Sequence, residues 1–426
     1  MKPIKYCFTL VKMSVLASLS SAAIANVLPA SVSESYISLG IEHEQSDNIS
    51  KEGTGAHSGN EQTVDIGVGY FNQTATNFTA LDYSVYYTNY SDDELDNESD
   101  ISGSLDIRQE VFSKNVILNL SHFRRSYLLN QNGSDVPDNT GDRDVFTISP
   151  VWIIPYSSRA GFEANYSYTA TRYTDGGDQD TDRNGVGLTW YNNINAKTRL
   201  DLSTQYSKVD YNSEGDHYDQ ITTDASVNGK LLAGTYLVKL GYSRIMAEDD
   251  FEGGAIFELA YDYQFIKHNL SVSLQRELSD SSFGLGEDLP DNDLEDYDGS
   301  DVLWIDRAQL QHRFDITNRL SNTNTVYYQQ ETEVISDDQS PRWGLTTGLY
   351  FRNTSKINTF VSFDYSESST DSTFDKEVMN TSIGGNYQFL PRLNFSLRAN
   401  YENQSTIEET SSYDEMRYTA RIEFKY

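Results

Sequence analysis

Polar and apolar residues alternate along most of this chain. Val64, Ile66, Val68 and Tyr70 are separated by Asp65, Gly67 and Gly69. Leu393, Phe395, Leu397, Ala399 and Tyr401 are separated by Asn394, Ser396, Arg398 and Asn400. Met416, Tyr418, Ala420, Ile422, Phe424 and Tyr426 are separated by Arg417, Thr419, Arg421, Glu423 and Lys425. Successive side chains of a strand point to opposite faces, so these runs read as strands with one apolar and one polar face. The pattern predicts about twenty strands, near 35–44, 62–71, 78–90, 101–111, 115–127, 143–154, 160–172, 184–191, 197–209, 220–229, 235–244, 254–265, 268–278, 302–314, 321–331, 343–352, 357–367, 377–389, 393–403 and 414–426. The count falls to eighteen if two short runs are loop excursions.

Alternation alone suits a soluble sandwich as well as a membrane barrel. The connections separate the two. Residues 73–76, 155–159, 230–234 and 390–392 are short links. Those around 45–61, 91–100, 128–142, 173–183, 279–301 and 404–413 are long, polar and acidic. Short turns on one side and long loops on the other are the asymmetry of outer-membrane barrels, and with both ends on the short-turn side the strand number is even. A soluble propeller also repeats every ~40 residues but lacks this alternation, and the chain has no Trp-Asp blade signature. The register of 302–314 is awkward. Placing Ala308, Leu310 and Phe314 toward lipid puts Asp306 and His312 there too, so a bulge, a membrane-interface position or a shifted register is expected.

After the first 25 residues, no stretch is long and apolar enough for a helical span. A membrane protein without such helices must close its sheet, because lipid cannot satisfy free backbone groups. The start of the chain reads as an export signal. Lys2, Lys5 and Lys12 give a positive start, and the apolar run from Val11 to Ile24 ends in Ala23-Ile24-Ala25. Cleavage after Ala25 leaves residues 26–426 as one barrel domain. It also removes Cys7, so no disulfide chemistry is expected. With about ten residues before the first strand, an N-terminal plug domain is not expected, and any plug must come from inward-folded loops. The segment 279–301 is the longest candidate. Tyr426 closes an aromatic-ended terminal strand, as in barrels handled by the assembly machinery of the outer membrane.

The mature chain carries 29 basic and 64 acidic residues, a net charge of −35, which opposes nucleic-acid binding. Thirty Tyr and nineteen Phe are too many for a disordered acidic coil and suit membrane–water interfaces. Asp175–Asp182 and Asp288–Asp301 are carboxylate-dense, but neither matches a calcium loop. They read as solvated acidic loops, which divalent ions can bridge to lipopolysaccharide. No cofactor or metal is expected. No G-x-S-x-G, H-E-x-x-H or phosphate-loop sequence occurs, which leaves no catalytic residue to name.

With the apolar face outward, the polar face lines a lumen. It displays Asp65, Asp82, Asp106, Arg125, Glu163, Asp201, Lys239, Glu258, Asp262, Gln309, Gln311, Asp364, Asn400 and Glu423. The candidate solute contacts on that face are Arg108, Arg307, Arg313, Arg398, Arg417 and Arg421. Arginine beside Asn, Gln and Tyr suits passage of a polar or anionic chain through weak contacts. Mixed charges that pair and stiffen the wall are the plainer reading.

Three stretches carry a resemblance. One runs from Ile148-Ser149-Pro150-Val151-Trp152 through the turn at 155–159 to Gly161-Phe162, Tyr166-Ser167-Tyr168 and Arg172-Tyr173. The others are Thr189-Trp190-Tyr191 with Thr198–Leu202, and Gln205-Tyr206-Ser207. They resemble the outer-membrane β-barrel porins found with exopolysaccharide and exosortase (PEP-CTERM) systems. That resemblance implies export or passage of a polysaccharide at the Gram-negative outer membrane, with periplasmic export proteins as partners, and no catalytic residues. A non-transporting barrel whose acidic loops bind surface polymer and a barrel hydrolase are the alternatives.

Overall fold

The computed structural model describes residues 31–426 apart from 52, 54–55, 92–94, 113, 129–139, 175–179, 213–216, 247–250, 280–301, 335–338, 371–373 and 407–411. The proposed export signal lies outside these residues. The described residues form twenty antiparallel strands. The first ten are β1 (Val32–Ser46), β2 (Gly59–Gln73), β3 (Asn77–Tyr90), β4 (Glu98–Val111), β5 (Val116–Leu128), β6 (Thr140–Pro155), β7 (Ala160–Tyr173), β8 (Thr181–Asn195), β9 (Thr198–Tyr211) and β10 (His217–Leu231). The second ten are β11 (Gly234–Met246), β12 (Phe251–Phe265), β13 (His268–Ser279), β14 (Leu303–Asp315), β15 (Leu320–Glu333), β16 (Gln339–Arg352), β17 (Ile357–Thr370), β18 (Phe374–Leu390), β19 (Leu393–Thr406) and β20 (Tyr413–Lys425). Each strand pairs with its sequence neighbours, and β20 returns to β1 with Ser38 opposite Lys425 and Ser46 opposite Arg417. The sheet therefore closes into a barrel, every strand pairing with two neighbours.

All twenty predicted strands are present, most of them running one to four residues further at the long-loop end. β1 reaches Ser46 and β19 reaches Thr406, so the connections expected at 45–61 and 404–413 are shorter than the sequence suggested. Most of the extensions are polar on both faces, so no alternation marks them, while pairing with at least one neighbour continues. Four of the short turns share a local device. Thr74 Oγ1 accepts hydrogen bonds from the backbone of Thr76 and Asn77, at 3.3 and 3.0 Å. Ser157 does the same for Arg159 and Ala160, Thr317 for Arg319 and Leu320, and Thr354 for Lys356 and Ile357. A hydroxyl at the first turn position satisfies two donors that the ladder leaves over.

The apolar face is the outer one. Ile37, Leu39, Ile41, Ile66, Leu188, Leu240 and Ile383 are 47–60% exposed, whereas Asp65 on the opposite face of the same wall is only 2% exposed. A soluble fold inverts this order, and so broad an apolar exterior is tolerable only against lipid. Aromatic residues frame it. At the short-turn rim Trp190 Nε1 donates to the Tyr156 hydroxyl at 2.8 Å, and Tyr261, Tyr263 and Phe265 stack. At the long-loop rim Trp343 packs on Tyr365, Tyr168 donates to Asp182 and Tyr401 donates to Asp414. Rings at two heights with apolar residues between them are the belts of a membrane-spanning wall.

The two awkward residues of β14 sit at those rims, with no bulge in its pairing to β13 or β15. His312 lies three residues from the short-turn end, stacked on His268, which in turn stacks on Phe314, with 3.1 Å between the two histidine nitrogens. Asp306 lies near the long-loop end, 3.4 Å from Arg276. A polar group at interface depth costs little, so neither needed a change of register.

Candidate functional site in the barrel lumen

The six candidate arginines all fall on the inner-face register, as do the other lumenal residues named from the sequence. The barrel does not gather them into one patch. Arg398 on β19 and Arg417 and Arg421 on β20 form a strip at the closing seam. Arg307 and Arg313 lie five strands away on β14, about 24 Å along the wall at the usual strand spacing. Arg108 stands alone on β4, opposite Phe78 and Asn119.

The seam strip is a set of ion pairs rather than a cationic track. Arg417 lies 3.1 Å from Glu44 and 2.6 Å from Glu415. Arg421 lies 2.7 Å from Asp65 and 3.6 Å from Glu42. The Arg421–Asp65 pair reaches from β20 to β2 across the inner face of β1. Gly40 lies directly beneath it: a Cβ there would sit 2.0 Å from Asp65 Oδ1 and 2.6 Å from Arg421 Nη2. Gly40 is thus what permits the pair to bridge three strands. Arg398 differs. It stands 5.7 Å from the ring centroid of Phe360, with no carboxylate at ion-pair distance among the described residues. Arg307 donates to Gln329 at 2.9 Å, and Arg313, which is 53% exposed, is 3.4 Å from Asp315 near the short turn.

Pairing recurs around the wall. Arg199 contacts Glu163 at 3.0 Å and Asp201 at 2.6 Å and lies over the Tyr191 ring, and Lys239 contacts Glu258 at 2.8 Å. These groups line the short-turn half of the lumen, where inner-face side chains retain partial exposure. A surface of paired charges, amides and hydroxyls offers many weak hydrogen bonds and little net field.

The long-loop half is different. Tyr127, Tyr173, Tyr211, Tyr218, Tyr327 and Tyr413 face inward and are 5–8% exposed. On one side the mouth is filled. β12 stays paired with β11 up to Phe251, but its pairing with β13 ends at Phe257–Arg276, so the top of β13 leaves the wall there. Leu278, Ser279, Leu303, Trp304 and Ile305, from the tops of β13 and β14, are all buried. Trp304 and Leu278 join Val209, Tyr211, Tyr218, Ile245 and Ile256, from the inner faces of the neighbouring strands β9 to β12, in one cluster. Each such buried apolar side chain contributes roughly 1.5–3 kcal/mol.

A polar bracket backs this cluster. Arg183 donates to Ser207 at 3.0 Å, to Gln220 at 3.0 Å and to Tyr218 at 2.9 Å. Gln220 in turn donates to Ser243 at 3.1 Å and to the Leu278 carbonyl at 3.2 Å. Below it lies a half-enclosed polar cavity of about 160 Å³ bordered by Gln205, Thr222, Lys239, Glu258 and Gln275.

The inward plug expected in 279–301 falls, but for Ser279, outside the described residues, and the described inturned tip comes from the tops of β13 and β14. A signal was present. Val302-Leu303-Trp304-Ile305 is a run of four consecutive apolar residues, which breaks the alternation and marks a segment buried on both faces. The dense part of 279–301 lies outside the described residues, as does most of Asp175–Asp182. Among the described residues no group of three or more His, Cys, Asp or Glu is placed to hold a metal ion.

The sequence matches no family model and no curated protein. Solved structures share the barrel. The siderophore receptor PirA from Acinetobacter baumannii matches with a TM-score of 0.52 at 9% identity, over 93% of this chain and 81% of that one. The FrpB iron transporter from Neisseria meningitidis (F3-3 variant) matches with a TM-score of 0.50 at 8% identity, over 92% of this chain and 81% of that one. OpdK from Pseudomonas aeruginosa, solved with vanillate, is 11% identical over 92% of this chain and 99% of that one, with a TM-score of 0.44. At such identities the likeness is one of fold. No family match supports the resemblance to exopolysaccharide-associated porins.

Proposed function

We propose that this chain is a channel of a Gram-negative outer membrane, passing a polar, hydroxyl-rich solute such as a polysaccharide segment. The observation that carries the reading is the pairing of an apolar exterior with a polar interior on one closed wall of twenty strands. Barrels of 16–18 strands already enclose an aqueous channel, so twenty strands are wide enough for one. The lumenal amides, hydroxyls and paired charges bind a neutral or weakly charged chain at many points and hold it firmly at none, which is what conduction requires. The paired seam arginines shift the expected solute from an anionic chain toward a hydroxylated one. The polysaccharide itself rests on the hairpin resemblance. Lipopolysaccharide, the barrel-assembly machinery and periplasmic export proteins are the partners this reading implies.

The test is single-channel conductance of the folded protein in a planar bilayer, followed by addition of neutral and anionic polysaccharides. Steady current with polymer blockade supports the reading, whereas a folded barrel that stays silent even with its mouth opened by substitution turns it down. Arg398 is the probe of choice for lumenal charge, because its removal orphans no carboxylate. Arg398→Glu is expected to move ion selectivity several-fold toward cations, read as a reversal-potential shift in a salt gradient. Unchanged selectivity would take Arg398 out of the conducting path.

The filled mouth favours a second reading, a surface barrel that transports nothing. It predicts silence in the bilayer even after the mouth has been opened by substitution.

A further inference from the structure

We propose that the inturned top of β13 and β14 sets the bore of the lumen and so decides which solutes pass. This rests on the channel reading. Three strand spacings, about 14 Å of wall, separate β10 from β13 in a regular barrel. Yet Gln220 of β10 and the Leu278 carbonyl of β13 are 3.2 Å apart. The tops of β13 and β14 therefore fold into the lumen and rest on the inner face of the neighbouring strands β9 to β12. The seat is shaped for them. Trp304 lies on Gly254 of β12, where a Cβ would come within 2.9 Å of the indole. Leu278 meets Ile245 and Ile256, and its carbonyl closes the Arg183–Gln220 bracket. Arg276, where β13 leaves the wall, lies 5.0 Å from the Trp304 ring centroid.

Two consequences follow from the position. The conduit is eccentric: it runs along the inner faces of the strands on the other side of the barrel, from β16 through β20 to β6. The polar cavity under Leu278 is a side pocket of the lumen, reached from the short-turn half. A hydroxylated chain that fits the open crescent passes, and a wider one stops at the tip.

Two substitutions test this from opposite sides of the contact. The pair Trp304→Ala with Leu278→Ala removes the bulk of the tip. Gly254→Leu leaves the tip intact and pushes the indole off its seat. Both are checked for folding by heat-modifiable migration and compared with wild type for conductance and for the largest neutral polyethylene glycol that enters. Because current follows open cross-section, the truncated pair is expected to raise conductance about twofold or more and to admit larger polymers. Gly254→Leu is expected to change both in the folded protein. Conductance and polymer cut-off that match wild type in both variants overturn the inference and leave the channel reading standing. A silent wild type with conducting variants makes the tip a complete closure, the same assignment at its limit. Silence from all three folded proteins overturns both the inference and the channel reading.

Discussion

Replacing Arg421 by methionine will lower the unfolding free energy of the barrel by about 3 kcal/mol, near the bottom of the range for breaking a buried pair. The loss comes from Asp65. That carboxylate is 2% exposed on the lumenal face, and its charge is answered across β1 by the Arg421 guanidinium 2.7 Å away. Methionine keeps most of the side-chain volume, so the change is mainly one of charge. Arg421 retains 27% side-chain exposure, and the water around it softens the penalty. The double variant Asp65→Asn with Arg421→Met is expected to recover most of the loss, since no unanswered charge then remains inside. Urea titration of protein refolded into lipid vesicles reads both effects. If the double variant is as unstable as the single one, Arg421 acts through packing and the electrostatic account is wrong. Gly40→Val forces the pair apart from below and is expected to behave like the single variant.

The second large effect lies on the opposite face of the same strand pair. Ile66→Arg places a guanidinium at mid-height on the outer wall, where Ile66 is 58% exposed to lipid and opposite Leu39 on β1. Arginine at the bilayer midplane costs about 2–4 kcal/mol, falling to about 0–1 near the interfaces. The same substitution at Tyr168, at the long-loop rim beside Asp182, is expected to cost under about 1 kcal/mol by the same depth rule. The contrast between the two positions is the diagnostic. Equal costs at both would mean that this face does not meet a bilayer of ordinary thickness.

The strands and their facing were legible because a barrel wall imposes period two with one face in lipid. That constraint is strong enough for Ile37-Ser38-Leu39-Gly40-Ile41 to fix its own register. The long-loop extensions were hidden, since beyond the membrane either face tolerates polar residues and only the backbone ladder persists. Which inner-face arginines stay unpaired was hidden as well. Arg421 and Arg398 look alike along the chain; what separates them is Asp65 two strands away, brought close over a glycine. The outer-rim cations Arg124, Arg172 and Lys208 escaped notice for a related reason. Each faces the lipid side and is rendered tolerable by a nearby aspartate, Asp142, Asp182 and Asp210 in turn. The inturned tip was visible only as an unbroken apolar run, and such a run does not say what it packs against.

The closing seam has a kinetic meaning. Among the twenty strand pairings only β1–β20 joins distant parts of the chain, and its contacts, such as Ser46 with Glu415, are separated by 369 residues. The other nineteen are hairpins that can zip as soon as both strands exist, four of them from the Ser- and Thr-anchored turns. Everything local can therefore be complete while the sheet is still open, with the unpaired edges of β1 and β20 exposed along their whole length. Such an intermediate is a template for pairing with other chains, so its lifetime governs the yield of folded barrel. The ionic stitching over Gly40 acts at that last step: it speeds closure only if it forms before the backbone ladder is complete, and otherwise it keeps a closed barrel from reopening.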